Sequence, residues 1–314
     1  MQGLMIVILN LLAMTLTFIP DVSAATYTYF PIDMPGAVTT GISGINNAGQ
    51  VVGASDTPSG NQGFVASGGI FTTIAAPRSV LTSPGGINNA GQIVGSVFDG
   101  TSPAQGFLYS EGTFTAINNP PGQFLSASGI NDAGQIVGSF QTTSGTFTTE
   151  QGFLLSPNGT FSLINVPGSI FTEASGINNI GQIVGRFRDA TGFEQGFLYS
   201  GGTYSPIVAP GALITQSSGI NNSGQIVGTF YDGTREGSYL YRNSIFTSIK
   251  VPDSPLTIAR GINDSGQIVG TFYGPTGAGY HGFVASPVPL PASLLLFAFG
   301  LVGLSMFALS QRHH

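Results

Sequence analysis

Cysteine is absent from this chain of 314 residues, and with it disulfides, thiolate metal sites and cysteine nucleophiles. Charge is scarce as well: 7% of residues are charged, with 8 Lys and Arg against 14 Asp and Glu. The resulting net charge of -6 argues against a polyanion such as nucleic acid as partner for the body of the protein. Its solvated surface has to be made of Ser, Thr, Asn, Gln and Gly, and its stability has to come from packing and hydrogen bonds. Histidine is rare, and the single one within the repeats described below, His281, stands where other repeats carry Gln, which suits a structural imidazole. HExxH, GxSxG and a phosphate loop are all missing. No catalytic residue, cofactor or metal ligand is therefore assigned, and the chain reads as a non-enzyme.

What is present is repetition. GINNAGQVVG begins at Gly44, GINNAGQIVG at Gly86, GINDAGQIVG at Gly129, GINNIGQIVG at Gly176, GINNSGQIVG at Gly219 and GINDSGQIVG at Gly261, at intervals of 42, 43, 47, 43 and 42 residues. A second motif follows each of them: QGFVAS from Gln62, QGFLYS from Gln105, QGFLLS from Gln151, QGFLYS from Gln195, the worn copy GSYLYR from Gly237, and HGFVAS from His281. A third is FTTI from Phe71, FTAI from Phe114, FSLI from Phe161, YSPI from Tyr204 and FTSI from Phe246. Each unit offers about four short β-prone segments, and none is a convincing amphipathic helix.

The decapeptide predicts a hairpin. Asn46, Asn88, Asn131, Asn178, Asn221 and Asn263 open a tight turn in which a short amide binds nearby backbone. Gly49, Gly91, Gly134, Gly181, Gly224 and Gly266 close it with the positive φ of a type I turn with a bulge. The Ile-Val pairs that follow are apolar on both strand faces, as in a sheet packed between two others. One unit cannot bury enough apolar surface to offset the entropy of ordering it, at about 1 to 2 kcal/mol per residue for backbone, whereas a closed ring buries every unit on both sides. The expected fold is all-β: a six-bladed β-propeller of about 43-residue repeats over residues 25–287, with Tyr27 to Ile32 as the first FTxI-like strand and HGFVAS as the last segment. An open β-solenoid is the alternative.

Both ends read as addresses. Leu4 to Ile19 is almost wholly apolar, and Val22, Ser23 and Ala24 follow a break at Pro20, so residues 1–24 are expected to be a helical signal peptide for the Sec pathway, cut after Ala24. The start lacks Lys or Arg, and an uncleaved anchor is the alternative. Residues 292–309 form a second apolar run long enough for a transmembrane helix. Val288, Pro289, Leu290 and Pro291 precede it, and Arg312 lies in the short end after it. That order, over residues 288–314, resembles the PEP-CTERM sorting signal, with Leu290 where the family name has Glu and one Arg in place of a cluster. The resemblance implies an exosortase-type enzyme as partner, transient anchoring in the inner membrane and release to the cell surface or extracellular matrix. A permanent tail anchor is the alternative. Across residues 27–286 the GIN to GQIVG segments resemble the HAF repeats of bacterial extracellular proteins, with Gln-Gly-Phe or His-Gly-Phe in place of His-Ala-Phe. This second resemblance implies secretion and repeats but carries over no catalytic residue.

Chemistry is looked for where the repeats differ. Between QIVG and QGF lie Asp56, Asp99, Glu150, Asp189, Glu194, Asp232 and Glu236, a set of acids able to hold a cation or position a sugar, although without the alternating spacing of a calcium loop. Solvated turn residues are the plainer reading of the same acids. Repeats four and five concentrate charge: Arg186, Arg188, Asp189 and Glu194 with Asp232, Arg235, Glu236 and Arg242, flanked by Phe193 and Tyr231 as stacking platforms. This sector is the candidate binding site for an exopolysaccharide or another surface protein. A carbohydrate-active enzyme on the same scaffold is the alternative, and would need two carboxylates converging in one pocket.

Overall fold

Each decapeptide forms the hairpin that its Asn and Gly predict. Asn46 N donates to Gln50 O at 3.1 Å and Gly49 N to Asn46 O at 3.1 Å, which closes a tight turn with an added residue. Gly49 sits at φ 76°, and Gly91, Gly134, Gly181, Gly224 and Gly266 lie between 74° and 78°. A side chain at any of them is strained whatever room surrounds it. The protein is seen in a computed structural model that describes residues 27–58, 60–117, 124–144, 147–274 and 279–288. Among these there are 24 strands and no helix.

In the first repeat the hairpin joins Thr39–Ile45 to Val51–Thr57, and Gly60–Ser67 and Ile70–Ile74 follow outward as an antiparallel meander. Ile45 faces Val51 across the first pair, and Val51 faces Ala66 across the second. The same meander recurs in all six repeats. Its first strand carries an irregularity just before the leading glycine of the decapeptide each time, as between Ile42 and Gly44 or between Ala259 and Gly261.

The sheets form a β-propeller arrangement, and here the expectation of six separate blades is corrected. Four sheets of four strands stand alone, while repeats four and five share one eight-stranded sheet. The join is a single parallel pairing, Glu194 with Ile214. Tyr27–Ile32 does supply an FTxI-like strand, but for the last sheet, beside Tyr280–Pro287. There Tyr29 meets Phe283 at 6.0 Å between ring centres. First and last repeats are thus stitched into one sheet, and the open solenoid is excluded.

The core is built by interlocking neighbours. Val52, Val94, Val137, Val184, Val227 and Val269 are fully buried, and five of them pack into the next repeat: Val52 among Ile74, Ile87, Ile93 and Phe107, for example, and Val269 among Ile42, Ile45, Val51 and Phe64 of the first. Burying each such side chain contributes about 1.5 to 3 kcal/mol, and none of that is available to a repeat standing alone. Within a repeat the two aromatic motifs meet: Phe64 with Phe71 at 5.2 Å, Phe107 with Phe114 at 5.2 Å, Phe153 with Phe161 at 5.0 Å, Phe197 with Tyr204 at 5.7 Å. The worn copy keeps this pairing through Tyr239 and Phe246 at 5.1 Å. Its extra hydroxyl, fully buried, reaches Ser217 Oγ at 2.8 Å, and burial pushes its pKa well above the tyrosine range.

The expected signal peptide of residues 1–24 and the tail helix of 292–309 lie outside the described residues, as do Pro289, Leu290, Pro291 and Arg312. Val288 is the last described residue. Among the described residues no helix is long and apolar enough to cross a membrane.

Candidate functional site: a channel with one charged wall

The innermost strand of every repeat ends one residue past the leading glycine of its decapeptide, and these glycines form a ring. A Cβ placed on Gly44 would stand 3.2 Å from Gly86 Cα, one on Gly129 3.2 Å from Gly176 Cα, and one on Gly261 3.3 Å from Gly44 Cα. The first G of the motif is therefore a close approach of backbones, a role that the sequence alone leaves unassigned.

Beyond the glycines lies a belt of amides that closes the circle. Asn46 Nδ2 donates to Asn88 O at 3.1 Å, Asn88 to Asn131 O, Asn131 to Asn178 O, Asn178 to Asn221 O, Asn221 to Asn263 O, and Asn263 back to Asn46 O at 3.1 Å. Each Oδ1 also accepts from its own turn, such as Gln50 N to Asn46 Oδ1 at 3.0 Å. These asparagines are 3% exposed, so both ends of each amide being satisfied is what makes their burial tolerable. A second, exposed circle lies beside it: Asn47, Asn89, Asp132, Asn179, Asn222 and Asp264, in which each backbone N–H donates to the next side chain's Oδ1. Asp132 is held below the usual carboxylate range, because donors from Asn89 and Asn179 outweigh the burial that would raise it.

On the other side of the glycines the inner strands enclose a cavity of about 670 Å³. Two register positions line it, one and three residues before the ring glycine. The nearer holds Ser43, Gly85, Ser128, Ser175, Ser218 and Arg260; the farther holds Gly41, Ser83, Ser126, Glu173 and Gln216. Thus repeats one to three present small neutral groups, while repeats four to six present Glu173, Gln216 and Arg260. Arg186, from the neighbouring strand, joins them where other repeats place Ala54, Ser96 or Thr271.

All of these side chains except Arg260 belong to one network, which Glu194 and Arg188 complete. Arg186 Nε donates to Glu173 Oε2 at 2.8 Å and its Nη1 to Glu194 Oε1 at 3.0 Å, Arg188 Nη2 donates to Glu194 Oε2 at 3.0 Å, and Gln216 Nε2 to Glu194 Oε1 at 2.7 Å. Phe171 lies under both guanidinium groups, 5.1 Å from Arg186 and 5.6 Å from Arg188. Burial works against ionising Glu194, but the donors from Arg188, Gln216 and Arg186 outweigh it and hold its pKa below the ordinary value. Arg186 is likewise disfavoured by burial yet raised overall by Glu173 and Glu194. Arg260 keeps open surface toward the channel, but protein encloses it closely enough that burial lowers its pKa; it is still a cation near neutrality.

The sector expected from sequence is thus split. Arg186, Arg188 and Glu194 come together at the channel wall, with Glu173 and Gln216 as partners and Arg260 as a neighbouring cation, all three of which sequence reading misses. Asp189 instead caps its own turn through Thr191 N at 2.9 Å and Phe193 N at 3.1 Å. Asp232 does the same through Thr234 N at 2.9 Å and pairs with Arg235 Nε at 2.9 Å. Asp99 follows the same plan, with Ser102 N at 2.7 Å. Phe193 and Tyr231 are exposed, and Tyr231 OH donates to Gly233 O at 2.8 Å. Glu236 is exposed on its strand, and Glu150 accepts from Ser139 Oγ at 2.7 Å. His281 Nδ1 stands 2.9 Å from Asp33 Oδ2, with its ring against Phe272. Among the described residues no group of three or more His, Asp or Glu is placed to hold a metal ion.

No protein-family model and no curated protein matches the chain. Solved structures share its fold at low identity. A putative TolB from Agrobacterium tumefaciens is 12% identical with a TM-score of 0.54, over 83% of this chain and 97% of that one. The β-propeller domain of the Trilobed protease from Pyrococcus furiosus is 12% identical with a TM-score of 0.51, over 73% and 75%. TolB from Acinetobacter baumannii is 14% identical with a TM-score of 0.51, over 81% and 65%. Likeness at such identity speaks for the fold alone.

Proposed function

We propose that the chain is an exported surface or matrix protein whose propeller is a non-enzymatic binding module for an exopolysaccharide, with the channel wall of repeats four to six as the binding site. One observation carries this reading: the polar side chains that recur in every repeat are engaged in closing the ring and its turns, whereas Glu173, Arg186, Gln216 and Arg260, each found in one repeat alone, converge on a single cavity. Its size falls in the range of about 300 to 1,000 Å³ typical of small-ligand sites, and its serine hydroxyls and amide suit a polyhydroxylated ligand.

Export and sorting belong to the same reading. The apolar start and the VPLP-led tail support passage through the Sec pathway, transient inner-membrane anchoring and processing by an exosortase-type enzyme. Intact mass of the protein from culture supernatant tests this: a species running from Ala25 to about Pro291 is expected, and retention of residues 292–314 in the membrane fraction would replace the sorting reading by a permanent anchor. Co-sedimentation with the host's exopolysaccharide tests the binding. Glu173→Ser, Arg186→Ser and Gln216→Ser together should abolish it without loss of fold; unchanged co-sedimentation would remove the channel from consideration.

A further inference from the structure

Arg260 is the odd residue in its register. At the position just before the ring glycine, four repeats carry Ser and one carries Gly. That position is where the inner strand is irregular, between Ala259 and Gly261, and such a bulge re-aims a side chain; here it lines the cavity. Arg186 pairs with Glu173 and Glu194, Arg188 with Glu194, and Arg235 with Asp232. The Arg260 side chain makes no hydrogen bond or ion pair with another described residue; it feels Glu173, Arg186 and Glu236 only through their fields. Of the charged residues that line the cavity, Arg186 and Arg260 stand against Glu173, which leaves one positive charge. This unpartnered cation faces the cavity and replaces a small residue that the fold accepts in five other places.

We propose that Arg260 is an anion site within the channel, taking the carboxylate of an acidic saccharide; the proposal rests on the glycan-binding reading above and narrows it to uronate-bearing chains. A guanidinium fork matches a carboxylate in two parallel hydrogen bonds. Ser43, Ser128, Ser175 and Ser218, at the same register around the ring, offer hydroxyls to the rest of a sugar, with Gln216 on the layer beside them. Glu173 on the same wall disfavours a dianion, so a singly charged carboxylate fits better than a phosphate.

Calorimetric titration of the full chain in detergent with a glucuronate-bearing disaccharide, its neutral glucose counterpart and inorganic phosphate tests this. The acidic disaccharide should bind about tenfold tighter than the neutral one, a difference that one charge-assisted pair readily supplies. Arg260→Ser, which installs the residue the fold uses elsewhere, should erase that preference, so that the acidic and neutral sugars bind equally, and Arg260→Lys should retain part of it. A preference that survives Arg260→Ser, or phosphate binding more tightly than the uronate, would overturn the proposal. Equal binding of both sugars by the unaltered protein would overturn it while leaving the glycan-binding reading intact, and binding of neither sugar would overturn both.

Discussion

The asparagine belt and the charged channel wall lie on opposite sides of the same glycine ring, and they use polar side chains in opposite ways. In the belt, six copies of one residue make one bond pattern six times, and every donor has its acceptor within the protein. At the wall, Glu173, Arg186, Glu194, Gln216 and Arg260 each occur once, and the last has no partner among the described residues. Repetition marks what holds the ring together; departure from it marks where the proposed binding site lies.

Breaking the symmetric side should be the more damaging. Gly129→Val would drive a branched side chain into Gly176 Cα and Ser175 O, 3.2 and 3.3 Å from its Cβ, and force two inner strands apart. A loss above about 4 kcal/mol, or failure to fold, is expected in chemical denaturation. Asn178→Ala should come next. It removes donations to Asn221 O and Gln182 Oε1 and leaves Gln182 N without its acceptor, at a cost of about 2 to 4 kcal/mol in the same measurement. A loss below about 1 kcal/mol would show that neighbours take over the bonds.

Changes to the asymmetric side should shift binding more than stability. Glu194→Ala separates Arg186, Arg188 and Gln216 from their shared acceptor. Because both arginines keep substantial access to water, about 1 to 2 kcal/mol of stability should go, while glycan co-sedimentation should be lost. Smallest of all is the effect of the turn carboxylates. Backbone donors from Ser102 and Thr101 lower the pKa of Asp99 to about 2 from an ordinary 3.8. Its folded pKa lies below its unfolded one, so its contribution is present above pH 3.8 and is lost as the pH falls through about 2. Asp99→Asn should flatten that stretch of an acid titration of stability slightly; an unchanged slope would mean that the turn opens before the carboxylate titrates.

Much of the fold is legible in the residues themselves. Gly49 and its five counterparts declare a positive φ because an Asn-led turn between β-prone runs needs one, and the paired aromatic motifs declare two strands of a single sheet. Asp99, Asp189 and Asp232 are turn residues, the plainer of the two roles their loops suggest. The channel wall is only half legible. Arg186, Arg188 and Glu194 stand out by charge, but nothing in the sequence says which strand is innermost, so Glu173 looks like one acid in a strand and Gln216 like one polar residue among serines. Arg260 leaves a faint trace, a lone Arg in a register otherwise filled by Ser or Gly, but the bulge that aims it into the cavity exists only in three dimensions. The fused sheet of repeats four and five is equally hidden, since it rests on a single residue pair.

The most direct measurement is to rewrite the wall in the residues that the other repeats use, as Glu173→Ser, Arg186→Ser, Gln216→Ser and Arg260→Ser in one protein, and to follow both chemical denaturation and exopolysaccharide binding. If unrepeated residues serve a ligand and repeated ones serve the ring, stability should stay within about 1 to 2 kcal/mol of the parent and no binding should be detectable. Retained binding, or a ring that collapses when only its unrepeated residues are changed, would contradict that division.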